Sequence, residues 1–335
     1  MTAASPEISV VVVNFNGLQH LNTCLQALLA QDGLSFEVVV VDNASTDGSV
    51  EFVRAHYPSV RLVVTEQNLG FAGGNNRGAA GARAPLLAFL NNDTRVEPGW
   101  LLALRNGLGW SPNAALVTSR IVYMHDPTVL DSAGDGVTRA GGAFKRGHGA
   151  PASHHLRRRE VFGACGAAFL IVREVFEEVG GFDEDFFLSH EDVDLSYRVR
   201  LRGYRCVYMP EAVVQHVGSA SLGRTSDSSV FYGQRNLEWV YLKNTPAVIL
   251  WLSLPLHAVY LAAAFAYFTW AGRLPAFVAA KWAALRGGRA MWRKRRIVQR
   301  TRRATASDIW QMLEPSWLGL KLREKRFELR MARPR

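Results

Sequence analysis

The sequence predicts an α/β fold with a mostly parallel sheet, followed by a helical, membrane-associated C-terminal segment. Three observations indicate this fold. Short β-branched runs alternate with amphipathic stretches through the first ninety residues. Polar residues follow the apolar runs where strands should end. Residues 244–272 contain no Asp, Glu, Lys or Arg, and a strongly basic tail follows them.

The elements of the first half can be assigned in order. Continuous apolar runs predict strands buried on both faces at Ile8–Val13, Val38–Val41, Val60–Val64 and Leu86–Leu90. Apolar spacing and boundary residues predict helices at Gly17–Ala30, Asp47–His56 and Gly73–Ala82. Ser45 and Thr46 are the expected caps of the second helix. Ligands bind beyond the carboxyl ends of such strands, so Asn14, Asp42 and Asp93 should converge.

The second half is less regular. Residues 120–159 are rich in Gly, His and Arg and predict a long, partly mobile loop. Further elements are expected in the order strand, short helix, turn and helix, at Phe162–Val172, Glu174–Val179, Gly180-Gly181 and Glu191–Arg202. The predicted divisions are one domain at 1–245, an apolar and basic amphipathic segment at 246–303, and a basic helical tail at 304–335.

Charge is divided unequally along the 335 residues. The formal net charge is +10, but residues 1–272 carry 21 Lys/Arg against 25 Asp/Glu, while residues 273–335 carry 18 against 4. This segregation predicts an anionic partner for the tail, either nucleic acid or a membrane surface. The three cysteines have no motif spacing, which indicates a reducing compartment rather than a disulfide framework.

The uncharged run favours lipid over nucleic acid. It is longer than the roughly 20 residues that a bilayer span requires. The stretch Arg273–Arg303 has eleven Lys/Arg, no acid, and Trp282 and Trp292, which is typical of an interfacial helix. A single crossing would export the basic tail against the positive-inside rule. We therefore expect the apolar run to enter the inner leaflet and return, bending at Pro255, or to lie in the interface.

Seven motifs occur in order between Ile8 and Asn244: V-V-N-F-N-G, V-D-N-A-S-T-D-G-S, N-L-G-F-A-G-G-N-N-R-G, L-N-N-D, G-G-F-D-E-D-F-F, H-E-D-V-D-L-S-Y-R and Q-H-V-G-S. With them the chain resembles the family 2 glycosyltransferases of the GT-A fold, most closely bacterial rhamnosyltransferases of cell-surface polysaccharide synthesis. The resemblance implies an inverting, metal-dependent sugar transfer. The best guess for the donor is dTDP-rhamnose, with a UDP-sugar as the alternative.

The same resemblance implies where the enzyme works and on what. Nucleotide sugars are made in the cytosol, so the catalytic body should lie at the cytoplasmic face of the membrane, attached without spanning it. A polyprenyl-diphosphate-linked or glycan acceptor fits that location. The sequence Q-R-N-L-E-W departs from the Q-X-X-R-W of processive synthases, which favours addition of one or few sugars.

Three residues at predicted strand ends are candidates for nucleotide binding. A carboxylate at Asp42 can accept the imide N–H of uracil or thymine, and the resemblance assigns Asp42 to the base. The alternative is an Asx turn that begins the next helix. Asn14 and Asn16 resemble first-strand nucleotide contacts of the family, and turn formation before Gly17 is the alternative.

The glycine- and asparagine-rich turn is a candidate for phosphate binding. If a helix begins at the Gly73-Gly74 pair, its first amides and Asn75 favour phosphate. Arg77 could add a charge-assisted hydrogen bond. The alternative is that the glycines only allow the helix to pack closely on the sheet.

The sequence Asn91-Asn92-Asp93 resembles a D-X-D metal motif that keeps only its last acid. Mg²⁺ or Mn²⁺ is commonly held by few carboxylates together with substrate phosphates, so Asp93 alone can suffice. The resemblance implies that Asn92 and Asp93 also contact the nucleotide sugar and that His216 approaches the metal. A helix cap at Asp93 and a structural role for His216 are the alternatives.

The acids Glu191, Asp192 and Asp194 open a predicted helix, where the helix dipole alone would favour them. The family's E-D motif assigns the general base to Asp192, with Glu191 as the alternative. Such a base removes the proton of the acceptor hydroxyl as its oxygen attacks the anomeric carbon. The metal offsets the charge of the leaving diphosphate.

Two further segments and two other function classes were considered. His148, His154 and His155 lack zinc-like spacing and indicate a mobile loop, and Arg224 lies in a Gly/Ser-rich segment that could close over the diphosphate. A dinucleotide-dependent oxidoreductase is disfavoured because no G-X-G-X-X-G follows the first strand. A non-enzymatic membrane or nucleic-acid-binding scaffold is the remaining alternative.

Overall fold

The computed structural model describes residues 5–218 and 226–331. Within them the strands are β1 Ile8–Asn14, β2 Phe36–Asp42, β3 Arg61–Val64, β4 Leu86–Asn91, β5 Thr94–Val96, β6 Ala114–Tyr123, β7 Leu130–Ser132, β8 Asp135–Val137, β9 Ala143–Lys145, β10 Arg159–Val161, β11 Ala168–Val172 and β12 Arg205–His216. Ten of them form one sheet with the path β10-β12-β6-β11-β4-β1-β2-β3, and β5 and β7 pair with β12 and β6. β8 and β9 form a separate ribbon.

The helices of the described residues are α1 Leu18–Leu29, α2 Ser49–His56, α3 Gly70–Gly81, α4 Trp100–Gly107, α5 Arg173–Glu178, α6 Glu191–Leu201, α7 Asp227–Asn244, α8 Ala247–Trp270, α9 Leu274–Arg300, α10 Ala306–Met312 and α11 Trp317–Met331. The predicted α/β fold with a C-terminal helical segment is confirmed. Alternate residues of β1 and β2 lie in different apolar clusters, one on each face of the sheet, because parallel strands are buried on both faces.

The register of the parallel strands determines where the polar strand ends lie. Asn14 of β1 stands beside Asp42 of β2, and Val13 stands beside Asn91 of β4. The carboxyl ends of β1, β2 and β4 therefore meet at one edge of the sheet. The predicted convergence at this edge is confirmed.

Helix starts in the first half differ from the prediction. α2 begins at Ser49 after Gly48, which has a left-handed φ of 87°, and the Asp47 Oδ1 accepts from the Ser49 amide at 3.1 Å. Ser45 and Thr46 are not its caps, because the Ser45 hydroxyl and the Thr46 amide bond to Asn14 and Asn16 instead. α3 begins at Gly70, three residues before the predicted start.

The prediction of a mobile loop at 120–159 is wrong. β6 continues to Tyr123, three strands of three residues follow, and β10 begins at Arg159. The stretch 130–138 is buried throughout. Strands of three residues are too short to show a period in the sequence, and buried charged partners supply the order that apolar patterning does not reveal.

A buried polar network attaches α6 to the helices that follow. The Asp194 carboxylate accepts hydrogen bonds from Arg198, Lys243 and Asn244 at 2.8–3.0 Å. Lys243 also pairs with Asp183 at 2.5 Å, and the Lys243 side chain is only 3% exposed. Removing one partner of a buried pair costs about 3–5 kcal/mol, so this network fixes the position of α6.

The C-terminal helices pack on the same body. α8 is one helix that contains Pro255, so the predicted bend at Pro255 is wrong, and the chain turns back at Ala271–Arg273 instead. α9 returns along α7, where the Trp239 indole donates to the Ala284 carbonyl at 3.1 Å. Residues of α6, α7, α8, α9 and α10 share one apolar cluster. The predicted boundary after residue 245 thus falls between helices of one packed unit.

Candidate active site

The strand-end edge carries a chain of amide and carboxylate contacts. The Asn14 Nδ2 donates to Asp42 Oδ2 at 3.0 Å and to Ser45 Oγ at 3.1 Å. The Asn92 Nδ2 donates to Asn14 Oδ1 at 2.7 Å. The Asp42 Oδ1 accepts from the Ser45 amide at 2.9 Å, three residues on. This bond shapes the loop after β2 but does not begin α2, which starts at Ser49, so the Asx turn considered as the alternative is not formed. Asp42 is buried at this edge.

Asn16 forms the turn that the sequence left as an option. It has a left-handed φ of 48°, and its Oδ1 accepts from the Thr46 amide at 2.8 Å. The Asn16 amide donates to Ser45 Oγ at 2.9 Å. These contacts connect the loops after β1 and β2, so Asn16 shapes the edge at which Asp42 lies.

The amino terminus of α3 is closed to phosphate at its first amides. The Phe71 and Ala72 amides both donate to the Phe187 carbonyl, at 2.7 and 3.3 Å. Asn75 is buried one turn later and bonds to the Phe71 carbonyl at 2.9 Å. The phosphate site predicted at Gly73-Gly74 and Asn75 is therefore wrong in its geometry, because the helix starts earlier. Arg77 is exposed.

Close packing explains the glycines of α3. A Cβ on Gly74 would lie 2.8 Å from Val13 Cγ1, and a Cβ on Gly78 would lie 2.3 Å from Val11 Cγ1. Real side chains do not approach so closely, so these positions let the helix backbone touch β1. The glycines of α3 therefore allow close packing of the helix on the sheet, which was the alternative interpretation.

Asp93 and His216 lie together next to this edge. His216 ends β12 and pairs in register with Thr94 of β5, directly after Asp93. Its Nε2 lies 3.3 Å from Asp93 Oδ1. Its Nδ1 lies 2.8 Å from an oxygen of the buried Asp131, which the sequence did not single out.

Asp131 is the centre of a charged cluster. Both of its carboxylate oxygens accept from Lys145 Nζ, at 2.9 and 3.0 Å. Burial opposes ionisation of Asp131, but the Lys145 charge and the hydrogen bonds of two histidines outweigh it and hold its pKa well below the usual range. Burial likewise opposes the charge of His216, yet the bonds to Asp131 and Asp93 raise its pKa to about 9.

The pair of Asp93 and His216 fits a divalent cation. Two ligand atoms at right angles on one ion, with bonds of about 2.1 Å, lie about 3 Å apart. The observed 3.3 Å between Nε2 and Oδ1 agrees with that spacing, but it is also an ion-pair distance, so a cation would have to replace the proton on Nε2. The Asp131 carboxylate on Nδ1 orients the ring so that Nε2 faces Asp93, as outer carboxylates do at metal-binding histidines.

Asp192 is held at the start of α6 by two backbone amides. Gly166 N donates to its Oδ2 and Val193 N to its Oδ1, both at 2.7 Å. A Cβ on Gly166 would lie 2.9 Å from Asp192 Oδ2, so only glycine permits this contact. These bonds fix both oxygens of the carboxylate while the side chain remains partly exposed.

The loop before Asp192 is strained and strongly tethered. Phe187, Ser189 and His190 have left-handed φ values of 61°, 71° and 67°. The Asn236 side chain of α7 donates to the carbonyls of Phe186, Leu188 and Ser189 at 2.7–2.9 Å. Such backbone strain persists where the surroundings over-determine it and is concentrated at functional sites.

Asp135 and Cys165 lie beside Asp192, with one ligand atom of each within 4.8 Å of the others. Burial and the Asp192 charge raise the pKa of Asp135 well above its usual range, and burial also raises the pKa of Asp192. Each carboxyl therefore disfavours the charge of the other, while the two amide bonds favour the ionised form of Asp192.

This trio is a poor site for Mg²⁺ or Mn²⁺. Burial raises the pKa of Cys165 well above its usual range, so the thiol favours its protonated form. Hard cations require oxygen ligands, and a neutral thiol and a neutral carboxyl offer little. Asp93 and His216 are the better cation ligands.

Glu191 is less suited than Asp192 to act as a base. It is buried, and its Oε2 has no hydrogen-bond partner within the described part of the chain. Burial and the Asp192 charge raise its pKa well above the usual range. Glu191 is therefore neutral near pH 7, whereas Asp192 has donors for a negative charge.

Lys145 joins the two halves of the site. It pairs with Asp131 on the cation side, and its charge acts on both Asp135 and Asp192 on the base side. The sequence analysis missed Asp131, Asp135 and Lys145 because it treated their segment as a loop. Two acids and a lysine in a stretch with few other acids were the available signal.

The other residues considered as candidates in the sequence do not form a catalytic or metal-binding group among the described residues. His148 bonds to the Asp131 carbonyl at 3.0 Å and His155 accepts from Arg146 at 3.1 Å. Neither belongs to a metal-binding group among residues 5–218 and 226–331, and both lie in ordered structure rather than in a mobile loop. Asp183 caps a short turn, where its side chain accepts from the Asp185 amide. Arg224 lies outside the described residues.

Solved structures share the fold at low sequence identity. GalNAc-T7 with UDP, GalNAc and Mn²⁺ aligns with a TM-score of 0.57 at 18% identity, over 72% of this chain and 48% of that chain. The mannosyltransferase PcManGT from Pyrobaculum calidifontis, in complex with GDP-Man and Mn²⁺, aligns with a TM-score of 0.54 at 20% identity. That alignment covers 92% of this chain and 88% of that chain.

Comparison of sequences identifies the family more specifically than the shared fold does. An N-acetylglucosaminyl-diphospho-decaprenol L-rhamnosyltransferase of Mycobacterium tuberculosis is 31% identical over 240 residues, which is 65% of this chain and 78% of the relative. The family model for glycosyl transferase family 2 matches residues 9–180, and this stretch contains Asp42, Asp93 and Asp135. The chain is an enzyme of glycosyl transferase family 2, with rhamnosyltransferases among its relatives.

Proposed function

We propose that this glycosyltransferase is inverting and metal-dependent, and that it moves L-rhamnose from dTDP-rhamnose to a polyprenyl-diphosphate-linked acceptor at the cytoplasmic face of the membrane. The observation that carries the proposal is the polar chain from Asp93 through His216, Asp131 and Lys145 to Asp192. The Lys145 charge acts on Asp192 at the end of this chain, which supports a cation site and a catalytic base in one cluster.

The donor assignment rests on the strand-end edge and on the relatives. Asn14, Asn16, Asp42 and Asn92 form a connected polar edge that can contact a nucleoside. The M. tuberculosis relative transfers L-rhamnose to a decaprenyl-diphosphate sugar, as its name states. A UDP-sugar remains the alternative donor, because an aspartate that accepts a pyrimidine N–H serves thymine and uracil alike. Arg77, exposed on α3, remains a candidate for the diphosphate.

When bound at Asp93 and His216, Mg²⁺ or Mn²⁺ would offset the charge of the leaving diphosphate. The protein's own contribution is to keep Nε2 of His216 directed at Asp93 through the Asp131 bond. The buried surroundings strengthen these charges, because water does not screen them.

We expect Asp93→Asn and His216→Gln each to weaken binding of dTDP in the presence of Mn²⁺ by tenfold or more, because each removes a ligand of the ion that bridges to the diphosphate. Calorimetric titration measures the dissociation constants. Asp32→Asn is the matched control, since Asp32 is exposed and precedes β2 at the opposite edge of the sheet. Equal affinities in all variants would contradict the cation site.

The chemical step assigned to Asp192 is proton removal. As the acceptor oxygen bonds to the anomeric carbon, the bond from that carbon to the donor diphosphate breaks, and the electron pair leaves with the nucleotide. The acceptor proton passes to the Asp192 carboxylate. The amides of Gly166 and Val193 hold that carboxylate in place.

We expect Asp192→Asn to lower kcat by about 10²–10⁴-fold and to leave dTDP affinity unchanged, because the amide cannot accept the proton. The matched control is Glu191→Gln, which should keep most activity because Glu191 is already neutral. Normal turnover by Asp192→Asn would contradict the assignment. In the wild type, kcat/KM should fall with decreasing pH at a value above the ordinary aspartate range, since the base must be ionised.

The outer face of α8 and α9 is suited to a membrane interface. α8 is the helix, within the described ranges, that is long and apolar enough to cross a membrane. Both of its ends are nevertheless tied to the body. Thr245, just before it, accepts from Arg295 through its carbonyl at 2.6 Å, and Arg273, just after it, pairs with Asp227. His257 at its middle bonds to Ala140 and Glu238.

These ties favour a helix that lies along the membrane surface. Trp251 and Trp270 on α8 are 70% and 74% exposed, and Leu285 and Trp282 on α9 continue the apolar face. Exposed arginines follow on α9 at positions 286, 289, 293, 296 and 300. Exposed Trp beside Arg is typical of a helix embedded among anionic headgroups. The proposed attachment is therefore peripheral.

We expect the triple variant Trp251→Ser, Leu252→Ser, Trp270→Ser to lose most of its sedimentation with phosphatidylglycerol vesicles, because it removes the exposed apolar area of α8. Trp110→Ser, which changes an exposed Trp away from these helices, is the control. If the triple variant sediments like the wild type, the membrane assignment is wrong. Truncation after Asn244 is unsuitable because it removes helices that share the core of α6.

A further inference from the structure

A large cavity adjoins the candidate active site on the side away from the nucleotide edge. It has a volume of about 1410 Å³ and lies between the β8–β9 ribbon, the start of β10 and the helices α10 and α11. Its walls include Asp135 and Lys145, which belong to the site described above. None of its lining residues precedes Asp135, so it is separate from the strand ends of β1, β2 and β4.

Cations without acid partners line this cavity. Arg146 bonds to His155, and Arg159 reaches only the Glu160 carbonyl at 3.5 Å. Neither arginine forms an ion pair with any acid in residues 5–218 or 226–331. Arg323 and Arg326 of α11 add two exposed charges to the opposite wall.

The acids of the same walls are already engaged. Glu160 pairs with Arg200 and Arg205, and Asp308 forms a capping box with Thr305. Glu324 pairs with Lys321. Glu314 accepts a hydrogen bond from the Ser316 amide at 3.2 Å, and burial raises the pKa of Asp135 well above its usual range. The net field in the cavity is therefore positive.

The pKa shifts of two wall residues agree with a positive field in the cavity. Burial and the Arg159 charge lower the pKa of Arg146. Burial, Arg146 and His154 lower the pKa of His155. Cations that disfavour one another's charge are stabilised when an anion enters between them.

We propose that this cavity binds the diphosphate of the lipid-linked acceptor and presents the attached sugar to Asp192 past Asp135 and Lys145. The inference rests on the proposed function and identifies the acceptor side of the same site. Planar guanidinium groups such as those of Arg146 and Arg159 match phosphate oxygens in pairs. The volume exceeds the 300–1,000 Å³ of a typical small-molecule pocket, which leaves room for a sugar diphosphate.

The position of the cavity also suits a lipid tail. Its α10–α11 wall meets α8 where the Trp317 ring contacts Tyr260, with ring centroids 5.4 Å apart. α8 carries the exposed apolar face proposed for the membrane. A prenyl chain leaving the cavity past α11 can therefore reach the lipid without crossing the catalytic body.

The test uses the full chain and geranyl diphosphate as the probe. The donor site is first saturated with dTDP and Mn²⁺. We then expect Arg159→Ala to weaken geranyl diphosphate binding about tenfold, because it removes a charge-assisted bond to the diphosphate. The double variant Arg146→Ala/Arg159→Ala should weaken binding further. Arg158→Ala is the matched control, because the neighbouring Arg158 pairs with Glu211 outside the cavity. Geraniol, which lacks the diphosphate, should bind all variants alike.

Hydrolysis of the donor in the absence of acceptor distinguishes a failure of the cavity assignment from a failure of the proposed function. Arg159 is exposed and unpaired, so Arg159→Ala should fold normally and hydrolyse dTDP-rhamnose like the wild type. If hydrolysis is intact and geranyl diphosphate binds every arginine variant with one affinity, the cavity assignment is overturned while the proposed function stands. If the wild type neither binds dTDP nor hydrolyses an activated sugar, the proposed function itself fails.

Discussion

The buried carboxylate of Asp131 is the contact on which the rest of the site depends. It is buried, and it holds the buried His216 on one side and the partly exposed Lys145 on the other. Through His216 it orients the partner of Asp93, and through Lys145 it reaches the carboxyl pair of Asp135 and Asp192. The proposed cation ligands and the proposed base are thereby held in one network before any substrate arrives.

A second buried acid connects catalysis to the C-terminal helices. Asp194 lies two residues after Asp192 in α6 and binds Arg198 of the same helix as well as Lys243 and Asn244 at the end of α7. α9 packs along α7 and presents its other face to solvent with Trp and Arg. The helix that carries the base and the helices proposed to contact lipid are therefore parts of one rigid assembly, which suits an acceptor that remains in the membrane.

The sequence predicted the parts of the fold that rest on apolar periodicity and on the meeting of parallel strand ends. It located β1, β2 and β4 and the convergence of Asn14 with Asp42 because burial on both faces leaves a plain signal. It failed at residues 120–159, where strands of three residues depend on buried charges such as Asp131 and Lys145 that only the tertiary structure brings together. The start of α3 was misplaced because glycines required for packing on β1 also resemble a phosphate-binding turn.

The most direct test of the account is electron spin echo spectroscopy of Mn²⁺ bound together with dTDP. The account expects nitrogen modulation from one imidazole in the wild type and its loss in His216→Gln. In Asp131→Asn the modulation should weaken, because the ring loses the bond that directs Nε2 at Asp93. Tightly bound Mn²⁺ with no imidazole coupling in the wild type would contradict the arrangement of Asp93, His216 and Asp131.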